Sequence, residues 1–235
     1  MQDSKGYMWF CTDAGVSRYV GYNFHNYSTE NGLSDNTVFG CFEDKKGKIW
    51  FRTLSGKLSY FYKDSIYTIE ANESIAKEIE NGIISSIYVD ADDTIWCGIN
   101  LGKGYFKISP PYKISNFKYV KLNPNHYFLD VDESGYVWGS IIDKHPNPQI
   151  KLFIINEYDK KSFVKMNSGL PRLWQSVSCL RTSDGQITVI GDKEIFRLHS
   201  AEVFSDFKSS FISIYGDKNK NIWAGVYNKM DIFTH

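Results

Sequence analysis

Arg172, Trp174 and Gln175 crowd into four residues directly after Pro171. An indole offers a flat apolar face for stacking on a sugar ring, and a guanidinium and an amide beside it can bond hydroxyls. His126, Tyr127 and His145 lie in two proline-containing stretches, where they read as loop residues with the same polar capacity. These six residues are the candidate contacts for a hydroxyl-rich ligand. The competing assignment is structural: Trp174 beside Leu173 also suits a packed core, and the two histidines also suit a solvated loop.

Catalysis would need a constellation of convergent carboxylates, or a histidine with an acidic partner. Glu30, Glu133 and Glu157 share no common frame. Asp3, Asp44, Asp90, Asp132 and Asp217 are evenly distributed, but each opens a turn, and turn chemistry already accounts for them. Cys11, Cys41, Cys97 and Cys179 are scattered with no CxxC pair. They read as four small buried hydrophobes, with neither zinc-ligand spacing nor an evident bridge. No catalytic residue, metal or cofactor is expected.

Those aspartates belong to a recurring phrase in which an aspartate, a turn and an aliphatic residue lead to tryptophan. It reads Asp3-Ser-Lys-Gly-Tyr-Met-Trp9, Asp44-Lys-Lys-Gly-Lys-Ile-Trp50, Asp90-Ala-Asp-Asp-Thr-Ile-Trp96, Asp132-Glu-Ser-Gly-Tyr-Val-Trp138 and Asp217-Lys-Asn-Lys-Asn-Ile-Trp223. A worn copy, Thr182-Ser-Asp-Gly-Gln-Ile-Thr188, fills the one large gap, and of all the tryptophans only Trp174 stands off the repeat. Successive tryptophan-equivalent positions are about 41, 46, 42, 50 and 35 residues apart, the spacing of propeller blades.

The second copy shows how one unit is built. Thr37 to Glu43 is a short apolar strand, Asp44 to Gly47 a tight turn, Lys48 to Thr53 a second strand, Lys57 to Tyr62 a third and Ser65 to Ile69 a fourth. Four antiparallel strands in this length make one blade. The same frame makes second strands of Tyr7 to Thr12, Thr94 to Ile99, Tyr136 to Ile141, Gln186 to Ile190 and Asn221 to Val226. In each, the tryptophan is expected to wedge between neighbouring sheets, with a weaker contact where Thr188 replaces it. Glu73 to Glu80 is the one stretch with helical character.

The expected fold is therefore all-β, a partial or open β-propeller of about five to six units, over approximately residues 2–30, 31–71, 82–122, 123–167, 168–208 and 209–235. The first unit lacks its opening strand and the last its closing one. The whole chain reads as a single propeller segment, an arc of a larger ring or one completed by a second copy. In such a frame the ligand face gathers Ser34–Asn36, Asn100–Leu101, Asn123–Tyr127, Arg172–Gln175 and Asp143–His145.

Composition sets outer limits. The 235 residues are 42% hydrophobic and 16% aromatic, enough for a large core. Basic and acidic residues balance at 27 each, without the basic excess of a nucleic-acid binder. No apolar run approaches the ~18 residues of a membrane span.

The phrase Gly32-Leu-Ser-Asp-Asn-Thr-Val-Phe-Gly-Cys-Phe-Glu-Asp-Lys-Lys-Gly-Lys-Ile-Trp-Phe-Arg-Thr53, with Gly15-Val-Ser-Arg-Tyr19 before it, closely resembles the two-component regulator propeller repeat. Ser168-Gly-Leu-Pro-Arg-Leu-Trp-Gln-Ser-Val177 is similar to its opening phrase, and the resemblance runs from Gln2 to Phe233. It implies a segment of the extracytoplasmic, periplasmic sensor region of a hybrid histidine kinase. Implied with it are oligosaccharide-derived ligands, further blades or domains of the same protein as partners, and a homodimeric full-length sensor. No phosphoacceptor histidine box, nucleotide-binding glycine motif or receiver aspartate occurs here, so the segment itself is expected to be non-catalytic. Two other readings stay open: a propeller scaffold for protein contacts, and a lyase-type propeller enzyme.

Overall fold

The computed structural model describes residues 1–100, 104–123, 125–131, 135–142, 150–155, 161–163, 178–181, 187–190, 195–197, 202–204, 211–216, 222–226 and 229–233. Its strands form antiparallel sheets of three or four strands, with the Asp44 and Asp90 turns joining the first two strands of their sheets. Sheet 1 holds β1 (Met8–Thr12), β2 (Gly15–Tyr19) and β3 (Phe24–Tyr27). Sheet 2 holds β4 (Val38–Glu43), β5 (Ile49–Thr53), β6 (Leu58–Tyr62) and β7 (Ser65–Thr68). Sheet 3 holds β8 (Ile84–Val89), β9 (Ile95–Ile99), β10 (Gly104–Ile108) and β11 (Phe117–Lys121).

Sheet 4 holds β12 (His126–Val131), β13 (Val137–Ile142), β14 (Ile150–Ile155) and β15 (Lys161–Phe163). Sheet 5 holds β16 (Ser178–Arg181), β17 (Ile187–Ile190), β18 (Ile195–Arg197) and β19 (Glu202–Phe204). Sheet 6 holds β20 (Phe211–Gly216), β21 (Ile222–Val226) and β22 (Lys229–Phe233). Every sheet is a meander in sequence order, the blade topology of a β-propeller. The chain forms two compact units, Met1–Tyr127 and Phe128–His235.

In the first unit Trp9 and Trp50 occupy the seams between sheets. Trp9 of sheet 1 joins a core with Val38, Ile49, Phe51 and Phe61 of sheet 2, its ring 5.0 Å from Phe61 and 5.8 Å from Phe51. Trp50 of sheet 2 is fully buried in a core that includes Val89, Ile95, Cys97, Phe106 and Ile108 of sheet 3. Strand alternation explains why one residue type serves both seams: Trp50 faces forward to sheet 3, while Ile49 and Phe51 beside it face back to sheet 1. A short helix, α1 (Asn72–Glu78), links sheets 2 and 3 where the sequence has its helical stretch, and drives Ile75 into the second core. The Asn72 side chain holds it there, accepting from Leu58 N–H and donating to Leu58 C=O, both at 2.8 Å.

One feature the residue pattern does not announce is a register shift near the start of the first strand, between Val38 and Gly40 in sheet 2, Ile84 and Ser86 in sheet 3, and Phe211 and Ser213 in sheet 6. A bulge of this kind adds one unpaired residue, so Val38 and Cys41 both join the core facing sheet 1 although they stand three apart.

Candidate functional site

Asp3, Asp44 and Asp90, the repeat aspartates among the described residues, are structural clasps. In the first copy Asp3 Oδ1 accepts from the amides of Lys5 at 3.0 Å and Tyr7 at 2.9 Å, while Oδ2 accepts from Trp9 Nε1 at 2.8 Å. Asp44 repeats this with Lys46, Lys48 and Trp50, all at 2.9 Å. Asp90 repeats it with Asp92 at 3.0 Å and with Thr94 and Trp96 at 2.9 Å. The turn itself closes on Gly47, at φ 77°, and in the third copy on Asp93, at φ 61°, a residue that tolerates the left-handed region. Asp132 and Asp217 lie outside the described residues. Trp138 is buried and Trp223 half-buried.

Adjacent turns are stitched together as well. Ser4 donates from both its amide and its hydroxyl to Glu43, each at 2.6 Å, and Lys46 pairs with Asp93. Glutamate and lysine here serve the seam between blades.

The stretches expected to face a ligand are also internally engaged. Asp35 takes the amides of Thr37 at 3.0 Å and Ser55 at 2.9 Å, and Asn36 takes that of Thr29 at 2.8 Å. Asn100 accepts from the Ile83 amide at 3.3 Å while its own amide donates to Ile83 C=O at 2.9 Å. Ser34–Asn36 and Asn100 therefore fasten the entry to one strand against the exit of the next.

Of the six candidate contacts, the structure describes His126 and Tyr127. They are not loop residues: both are half-buried at the start of β12, because the apolar run Tyr127-Phe-Leu-Asp-Val131 carries the extended conformation back to His126. As consecutive strand residues they point to opposite faces and cannot act together from one side. Arg172, Trp174, Gln175 and His145 lie outside the described residues.

The cysteines also depart from expectation. Cys97 is fully buried, but Cys11 and Cys41 are half-buried and pack against the same core. They are far apart in sequence and adjacent only because sheets 1 and 2 pack face to face.

A groove that sequence reasoning missed opens between the outer strands of sheets 1 and 2, with a volume of about 620 Å³. Phe24, His25, Asn26, Tyr27, Asp64 and Ser65 are among its walls. Behind it Arg18 lies over Phe61 at 4.7 Å, Tyr7 at 5.5 Å, Trp9 at 5.7 Å and Tyr27 at 5.9 Å, and pairs with Asp64 at 3.1 Å. Burial pushes the Tyr27 hydroxyl above its ordinary value against the opposing pull of Arg18, and Asp64 adds to the rise. Asn26 is already bonded by Ser17 at 2.7 Å. The groove offers an aromatic wall and polar edges suited to a small hydroxylated ligand. No cluster of histidine, cysteine or acidic residues suited to a metal occurs among the described residues, and among them no helix is long and apolar enough to cross a membrane.

No protein-family profile matches the chain, and no curated protein matches it in sequence. Solved structures do. The extracellular domain of the hybrid two-component system BT3049 from B. thetaiotaomicron is 20% identical with a TM-score of 0.65, over 99% of this chain and 32% of that one. Virginiamycin B lyase from Staphylococcus aureus is 15% identical with a TM-score of 0.70, over 100% of this chain and 80% of that one. XC5397 from Xanthomonas campestris, a gluconolactonase, is 10% identical with a TM-score of 0.56, over 95% and 80%. The fold is that of a β-propeller. This chain spans about a third of the length of the sensor ectodomain it resembles.

Proposed function

We propose that this chain is a segment of the extracytoplasmic, periplasmic sensor region of a two-component histidine kinase. In this reading it responds to oligosaccharides released from a polysaccharide and performs no chemistry itself. The observation that carries the proposal is the phrase Gly32–Thr53, which resembles the regulator propeller repeat residue by residue and recurs through the chain. The likeness in fold to sensor ectodomains BT3049 and BT4673, each over 99% of this chain, supports it. The carboxylates of Asp3, Asp44 and Asp90 each hold two amides and an indole, which supports a non-catalytic role. In the full-length sensor the segment would transmit ligand occupancy through blade packing to the geometry of a homodimer.

Thermal-shift measurement against a panel of oligosaccharides tests this. A ligand at a hundredfold its dissociation constant adds about 2.7 kcal/mol of stability, and Trp174→Ala, Arg172→Ala and Gln175→Ala should each reduce that gain. Absence of a shift with every glycan would overturn the ligand assignment. A scaffold role has its own support in the exposed aromatics Phe10, Tyr22 and Phe24 on sheet 1, and would show as partner binding without any glycan response. The solved lyase bound to quinupristin supplies the control for the enzyme alternative: conversion of quinupristin by this protein would favour that reading.

A further inference from the structure

Cys11 stands two residues after Trp9 on β1, so the two share the face turned toward sheet 2. Cys41 lies on β4 opposite Phe51, on the face turned back toward sheet 1. Both pack against the same core, with Trp9, Val38 and Phe51, where β1 and β4 lie against each other. Arg52, which also stands two residues after its tryptophan, reaches across to the Ser85 carbonyl at the first strand of sheet 3. At that seam the residue in the place of Cys41 is Ile87, opposite Cys97, so the pair of thiols is particular to the seam between sheets 1 and 2.

We propose that Cys11 and Cys41 are a redox-active pair that closes into a disulfide linking sheet 1 to sheet 2. The oxidant is an incoming disulfide, from a protein thiol oxidant or a low-molecular-weight disulfide. Cys11 Sγ, as thiolate, attacks one sulfur of the incoming disulfide and expels the other as a thiolate, leaving a mixed disulfide on Cys11. Cys41 Sγ then attacks Cys11 Sγ, expels the second thiolate and completes the bond. Two thiols lose two electrons, one external disulfide gains them, and the two thiol protons leave on the expelled thiols.

The surroundings set this order of attack. The Cys41 thiol lowers the Cys11 pKa, against the opposing effect of burial and with help from the positive charge of Arg52. The Cys11 thiol, and then burial, raises Cys41 well above the ordinary thiol range. Cys11 is thus the nucleophile and Cys41 the resolving thiol. Both are half-buried, whereas Cys97 is sealed. The inference rests on the proposed extracytoplasmic location only for its oxidising surroundings; the bond itself can be tested without any ligand.

The test is incubation of the purified wild-type protein with oxidised glutathione. Titratable thiols in denaturant should fall from four to two, and non-reducing digestion should yield one linked pair of peptides joining Cys11 to Cys41. The melting temperature should rise by roughly 5–10 °C and return on adding dithiothreitol. Cys11→Ser and Cys41→Ser should each abolish the shift, and Cys97→Ser should leave it. The proposal is overturned if all four thiols persist, if the linked peptides carry Cys97 or Cys179, or if glutathione stays on Cys11 without being released. The peptide result on wild-type protein decides the matter even where a variant fails to fold.

Discussion

Asp44 Oδ2 accepts the indole N–H of Trp50 at 2.9 Å, inside a turn whose two amides are held at 2.9 Å by the same carboxylate. Asp44 is 5% exposed and Trp50 fully buried. The two recurring positions of the repeat are therefore one object: a charged acceptor that satisfies the turn and the only polar atom of the ring that wedges the blades.

Asp44→Asn keeps the shape but turns one of its two acceptors into a donor, so either the amides or the indole loses its partner. Hydrogen bonds to a charged group are worth about 1.5–3 kcal/mol, and a stranded buried donor adds a penalty. Urea unfolding should show a loss of about 2–4 kcal/mol. In a double-mutant cycle with Trp50→Phe the two losses should be strongly non-additive. Additive losses would show that the carboxylate and the indole act independently.

Trp50→Ala should cost about 3–5 kcal/mol as a large cavity opens between sheets 2 and 3. Thr188, at the tryptophan position of the worn repeat, should behave in the opposite way. It is fully buried and its hydroxyl finds no partner among the described residues. Thr188→Val should be neutral or stabilising by up to ~1 kcal/mol, because it removes an unsatisfied polar group. Denaturant midpoints of the two variants check both signs.

Gly15 opens β2 at φ 118°, and a Cβ there would fall 2.1 Å from the Tyr27 carbonyl oxygen. Gly104 opens β10 in the same way, at φ 134° and 2.1 Å from the Val120 carbonyl. Gly15→Ala should cost more than the ~1 kcal/mol that the backbone conformation alone would explain, because β3 must move away. Loss of far-upfield or far-downfield NMR shifts from the Trp9–Tyr27 ring stack, 6.1 Å between centroids, would report that displacement directly.

Tyr112 donates its hydroxyl to Asp93 C=O at 3.0 Å, and its ring lies 6.0 Å from Trp50. Burial, then the charges of Asp93 and Asp44, push this hydroxyl well above its ordinary value of 10.0. The folded state keeps a proton that the unfolded chain releases, so this contribution is present at neutral pH and lost as pH rises above about 10. Lys46, raised chiefly by its bond to Asp93, loses its contribution in the same direction above its ordinary 10.5. Denaturation series between pH 7 and 11 should show a falling stability in wild type and a shallower fall in Tyr112→Phe. Burial also raises Tyr60 and Tyr119, so the slope will not vanish.

The strands given bounds from the sequence lie within about a residue of that reading. Lys48 to Thr53 is β5 (Ile49–Thr53), and Tyr7 to Thr12 is β1 (Met8–Thr12). Such agreement follows from local causes, since alternating β-formers between glycine and aspartate turns specify a strand without help from elsewhere. The register shift at Val38 and Gly40 was not legible, because a bulge is dictated by what lies across the sheet. His126 was misread for a related reason: Pro124 two residues earlier marks a loop, but it does not show where pairing with β13 begins.

By itself, then, the sequence determined the blade: its length, its four-strand meander, its turns and the seam position of its tryptophans, all governed by contacts close along the chain. Only the tertiary structure decided what those residues touch across a seam. It gave Asp3, Asp44 and Asp90 each an indole, tied Ser4 to Glu43 and Lys46 to Asp93, spent Asp35 and Asn36 on backbone amides, and set Cys11 and Cys41 against one core. Partners on neighbouring sheets are fixed by how blades stack, and no local pattern along a strand encodes that stacking.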